Sequence, residues 1–122
     1  MKKIYYRKLI RDKIPEKIQG KGSECETRKL SRVEFEKELL KKVGEESSGL
    51  LQAKNKREII EEITDVLDVV DEILKLKKIT PKEIAAQKQQ NLEKKGGFEK
   101  RLYLVWSSDA DYQTNEKMGK KG

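Results

Sequence analysis

Glu62 and Asp65 stand three residues apart in the stretch EEITDVLD, a spacing that puts two carboxylates on one helix face within reach of a single divalent cation. Glu46 lies upstream in KVGEESSGLL, where the position three residues on is Gly49 and offers no second carboxylate. On helical wheels Glu46 borders the apolar stripe of one helix and Glu62 borders that of the next. If the stripes pack antiparallel across a short turn at Asn55-Lys56, the two carboxylates meet, with Asp65 one turn along. Like charges so placed are costly unless a cation neutralises them. Magnesium suits the set best, because it prefers hard oxygen ligands and keeps room for water and phosphate oxygens. Taken one helix at a time, the acidic residues read equally as the solvated side of an amphipathic helix.

Three helices are expected to hold these groups, near residues 33–54, 56–77 and 81–95. The third has the clearest start, since Thr80, Pro81 and Glu83 supply a capping hydroxyl, a proline at the first helical position and the glutamate of a capping box. Gly96-Gly97 should end it. In the second, Ile59, Ile63, Val66, Leu67, Val70, Ile73 and Leu74 share one sector. Leu39, Leu40, Val43, Leu50 and Leu51 line the first, which Gly44 and Gly49 weaken by about 1 kcal/mol each relative to alanine. KLIRDKIPEKI suits a turn or two of helix that Pro15 starts or interrupts. KRLYLVW (100–106) is β-branched and aromatic and can form a short strand, with IYY (4–6) or ECETRKL (24–30) to pair with it. The class is therefore mainly α.

The chain has 122 residues, enough for one core, and 34% hydrophobic against 42% charged residues makes that core thin. A helical bundle completed by oligomerisation, as a dimer or tetramer, is the expected architecture. Residues 1–106 read as one domain and 107–122 as a disordered basic tail. No apolar run approaches the roughly 20 residues needed to span a bilayer, and MKKIYYRKLIRD lacks an apolar signal core, so a cytoplasmic protein without a membrane partner is expected. The single cysteine excludes an internal disulfide, and the absence of histidine excludes imidazole chemistry. The net charge of +7 is uneven: residues 31–80 carry more acid than base, and both flanks carry the reverse. Basic flanks can hold the phosphates of a nucleotide or, less favoured, a nucleic-acid backbone.

The segment KVGEESSGLLQAKNKREIIEEITDVLDVV resembles the helix pair of the all-α nucleotide pyrophosphohydrolases, the family of the MazG-type house-cleaning enzymes and phosphoribosyl-ATP pyrophosphohydrolase. Their pattern is E-x-x-E on one helix and E-x-x-D on the next. YYRKLIRDKIPEKI is similar to the opening of a MazG-like branch, and NLEKKGGFEKRLYLVW to its closing segment, so the likeness spans roughly residues 4–106. It implies magnesium-dependent hydrolysis between the α and β phosphates of a nucleoside triphosphate, giving monophosphate and pyrophosphate.

By position the resemblance makes Glu46, Glu62 and Asp65 metal ligands and Glu46 a catalytic residue. Glu45 becomes a candidate base or second ligand, and Gly49 stands where the family has its second glutamate. The departure implies a wider, less negative pocket, which Ser47, Ser48 or a water could fill, and a gain of metal affinity in Gly49→Glu. Lys8, Arg11 and Lys13 of the opening segment, and Lys94, Lys95 and Arg101 of the closing one, are the candidate phosphate-binding cations. Tyr5, Tyr6, Phe98, Tyr103 and Trp106 can stack a base, although packing is the commoner use of such rings. A relative that binds a nucleotide or a partner without hydrolysis, and a basic nucleic-acid-binding module, are the alternative readings.

Overall fold

Each helix starts where a local signal asks for it. In the computed structural model, which describes residues 2–110, four helices form and no strand is present among the described residues. The chain divides into two units, Met1–Glu83 and Ile84–Gly122.

In the first unit, α1 (Ile14–Gly20) opens with Pro15 in its first turn, so the proline starts the helix. Helix α2 (Arg32–Gln52) begins at a capping box. The Glu34 N–H donates to Ser31 Oγ at 3.2 Å, and the Ser31 N–H donates back to Glu34 Oε1 at 3.3 Å. Helix α3 (Lys56–Leu76) is capped by Asn55, whose side chain accepts from the Glu58 N–H at 2.9 Å. Across the three-residue link, α2 and α3 fold back on each other as an antiparallel pair. At the open end Arg32 donates to the Leu76 carbonyl at 3.0 Å and Lys77 pairs with Glu36 at 2.9 Å. Gly44 and Gly49 do not interrupt α2.

Leu39 of α2, 3% exposed, is the one buried apolar side chain among the described residues. Val43 and Leu50 are half-buried on the same side, whereas Leu40 and Leu51 are exposed. Helix α3 turns the border of its apolar sector toward α2, with Glu58, Glu62, Asp65, Val69 and Leu76 all half-buried. Val66, Val70, Ile73 and Leu74 of the sector are half-buried, whereas Ile59, Ile63 and Leu67, with Ile60 beside them, face outward at 41–56% exposure.

Helix α4 (Pro81–Lys95) has the expected bounds; its first turn belongs to the first unit and the rest to the second. The Glu83 N–H donates to Thr80 Oγ1 at 3.2 Å and the Thr80 N–H to Glu83 Oε1 at 3.1 Å. At the other end Gly96 adopts φ +77°, and its N–H donates to the Leu92 carbonyl at 2.9 Å. The candidate strands at 4–6, 24–30 and 100–106 do not form. Their β-branched and aromatic residues find no ladder to join, and strand propensity is expressed only through cross-strand packing. Of the expected tail, residues 111–122 lie outside the described residues. No helix of the described residues is long and apolar enough to cross a membrane.

Candidate functional site

The polar half of the α2–α3 seam gathers three carboxylates. Glu46 comes from α2, and Glu62 and Asp65 come from successive turns of α3. One oxygen of each lies within 4.8 Å of the others, and all three residues are half-buried. Around an octahedral magnesium with bonds of about 2.1 Å, ligand oxygens are roughly 3 to 4.2 Å apart. Small side-chain rotations therefore close the trio on such an ion, and its all-oxygen chemistry fits. The arrangement follows from the hairpin register, which places Gly49 directly opposite Glu62.

Gly49 proves to be occupied space rather than a gap. A Cβ built there meets Glu62 Oε2 at 2.5 Å and Glu62 Cδ at 3.1 Å, so the Glu62 carboxylate already fills the position above the glycine. The wider pocket expected from the missing side chain is absent, because any residue larger than glycine must push Glu62 aside. Ser47 and Ser48 do not turn to the site either. Their hydroxyls donate to the Val43 and Glu45 carbonyls of their own helix, each at 2.7 Å.

Cations flank the trio on both sides. Arg11 donates to Asp65 Oδ1 at 3.0 Å and reaches Asp68 Oδ2 at 2.9 Å. The hydrogen bond to Asp68 raises the pKa of this guanidinium further, against partial burial, and the charges of Asp68, Asp65 and Glu46 add to the effect. Lys8 pairs with Glu45 Oε1 at 3.3 Å. Lys42 pairs with Glu45 Oε1 at 3.3 Å and Glu46 Oε1 at 3.6 Å, and donates to the Leu9 carbonyl at 2.9 Å. Burial pushes the Glu45 carboxyl up, but its bonds to Lys42 and Lys8 outweigh that and hold it below the usual carboxylate value. Lys8 and Arg7 also sit over the rings of Tyr6 and Tyr5, at 5.9 and 5.0 Å. Arg7 takes a left-handed backbone, φ +47°, just before the segment meets the hairpin.

The structure brings Glu46, Glu62 and Asp65 together at the seam, with Glu45, Lys8 and Arg11, the residues named through the resemblance, in ion pairs beside them. Lys13 is the N-cap residue of α1 and exposed. Lys94 and Lys95 end α4 and Arg101 follows it, all in the second unit, whereas the site above is built by the first unit alone. Tyr5, Tyr6, Phe98, Tyr103 and Trp106 are exposed rather than packed. Two participants escaped the sequence reading, Lys42 and Asp68. Their signals were present: Lys42 precedes Glu45 and Glu46 by three and four residues, and Asp68 follows Asp65 by three. Compared with protein-family models, curated proteins and solved structures, the chain finds no match.

Proposed function

We propose that the chain is a magnesium-dependent nucleotide pyrophosphohydrolase that cleaves a nucleoside triphosphate between its α and β phosphates. The observation that carries this reading is the convergence of Glu46, Glu62 and Asp65 from two helices, together with basic side chains at the rim of the same seam. Magnesium held there would clamp phosphate oxygens and lower the pKa of a bound water. Glu46, Glu62 and Asp65 would hold the ion, and Lys8 and Arg11 would offset the triphosphate charge. Against the opposing effect of burial, Lys42 and Lys8 hold the Glu45 pKa below the usual carboxylate value. A carboxylate so held is a weaker proton acceptor, so its part is to orient the attacking water.

A second reading has its own observation. Arg11 already neutralises Asp65, and Gly49 withholds a fourth carboxylate, which together favour a relative that binds a nucleotide without cleaving it. Pyrophosphate release over a panel of nucleoside triphosphates with magnesium, run beside calorimetric binding, separates the two. Release supports hydrolysis, binding without release supports the silent relative, and neither result removes both.

The proposal includes a second copy of the chain against the outer face of α3. Ile59, Ile60, Ile63 and Leu67 form an outward stripe over two turns, while Leu39 is the one buried apolar side chain among the described residues. Such a stripe is the apolar centre around which an interface of about 800 Å² per partner is built.

A further inference from the structure

We propose that Lys42 is a positioning residue that latches the segment of residues 8–11 onto the helical hairpin and sets Glu46 against Glu62 and Asp65. The latching concerns the chain as such; only the consequence for turnover rests on the hydrolase reading above.

Lys42 differs from the other paired lysines of the first unit. Its side chain is 14% exposed, against 45% for Lys8, 64% for Lys41 and 78% for Lys75. An ammonium has three donors and no acceptor capacity. Here it has three partners: the Leu9 carbonyl at 2.9 Å, Glu45 Oε1 at 3.3 Å and Glu46 Oε1 at 3.6 Å. A lysine drawn this far from water is held by its partners, since an uncompensated ammonium there is costly.

Residues 8–11 belong to no helix or strand, so their place depends on the contacts they make with the hairpin. Lys8 reaches Glu45 of α2 and Arg11 reaches Asp65 and Asp68 of α3. Those side-chain pairs lie at half-exposed positions, where water and salt screen them. The Leu9 carbonyl contact is the part-buried one and holds backbone rather than a side-chain tip. It lies between the other two along the chain. Fixing Leu9 therefore limits where both Lys8 and Arg11 can stand. The same ammonium offsets Glu46 from the α2 side, as Arg11 offsets Asp65 from the α3 side, so three close carboxylates coexist at the seam.

The test uses the full chain and compares the parent with Lys42→Met, which keeps the stem and removes the charge and its donors. Backbone ¹⁵N relaxation should show residues 8–11 of the parent near the rigid limit, with order parameters of about 0.85, and those of Lys42→Met below about 0.6, with α2 and α3 unchanged. Lys42→Arg, which can still donate to a carbonyl and two carboxylates, should restore the ordered segment. An ordered segment in a folded Lys42→Met protein overturns the proposal.

Should that variant not fold, the unaltered chain still answers. Cross-relaxation between the Lys42 ε-methylene protons and Leu9 is expected, and its absence overturns the latch. Where the parent releases pyrophosphate, Lys42→Met should lower kcat at least tenfold and Lys42→Arg recover most of it. A parent without turnover removes the hydrolase reading and leaves the relaxation result standing on its own.

Discussion

Asp65 serves two purposes at once: it accepts from Arg11 at 3.0 Å and contributes an oxygen to the trio with Glu46 and Glu62. Glu62 has no ion pair among the described residues. Their neutral isosteres should therefore separate. Glu62→Gln and Asp65→Asn are each expected to weaken magnesium binding at least tenfold in calorimetric titration, because each removes a charged ligand and keeps its shape. Without metal, Glu62→Gln should melt at the same temperature or higher, since it only relieves repulsion. Asp65→Asn should melt no higher, because it weakens the Arg11 contact as well. Equal magnesium affinity in both variants and the parent would return the trio to a plain acidic face. Gly49 leads to a sharper expectation. Alanine there gains about 1 kcal/mol of helix propensity, yet its Cβ falls on Glu62 Oε2. Gly49→Ala should thus hold or raise thermal stability while lowering magnesium affinity. For the same reason Gly49→Glu adds one carboxylate while displacing that of Glu62, so calorimetric magnesium titration against the parent reads whether the gain expected from the motif survives the shift.

Among the elements, α2 depends on its first turn. Arg28 donates to Glu34 Oε2 at 2.9 Å and Ser31 donates its backbone N–H to the other carboxylate oxygen. The Arg28 bond, then the Ser31 bonds, lower the Glu34 pKa from 4.5 to about 2. A carboxylate whose folded pKa is depressed adds stability above its unfolded pKa and loses it as pH falls through the folded one. Urea midpoints of the parent and Glu34→Gln should differ at pH 7, converge as the pH drops from 4.5 toward 2 and coincide only below that. A difference that stays at its pH 7 size down to pH 2 would assign the effect to shape rather than charge. The Ser31–Glu34 box, the Asn55 cap and the Thr80–Glu83 box are written locally, each by residues three positions apart. That is why helix bounds could be read to within a residue or two, and the Gly96 stop likewise. The candidate strands failed for the opposite reason, since a strand needs a distant partner that no local pattern names.

For the whole molecule, the outward stripe of α3 governs the expected behaviour. Light scattering of the parent at micromolar concentration should give a mass of at least two chains, and the melting temperature should rise with protein concentration. Leu67→Glu places a charge at the C-terminal end of the stripe, at a position 52% exposed in the single chain. It should shift the mass to one chain with at most a small loss of helicity. A parent that is monomeric throughout that range would mean the stripe stays in water.

The amphipathic period, the caps and the carboxylate spacing determined that this chain makes two long helices with Glu46, Glu62 and Asp65 on their borders, because each depends on residues at most four apart. The same short range made Glu45 and Glu46 neighbours of Lys42 before any folding. What tertiary structure decided is the register of the hairpin, which sets Glu62 over Gly49 and lets one acidic side chain occupy the space a second would need. It also decided that residues 8–11 lie along that seam, with Arg11 on Asp65, 54 positions away, and Lys42 on the Leu9 carbonyl, 33 positions away. Contacts over such separations depend on how two helices rotate about their axes to bury the few apolar side chains available, and a rotation is a property of the packed pair rather than of either helix's sequence.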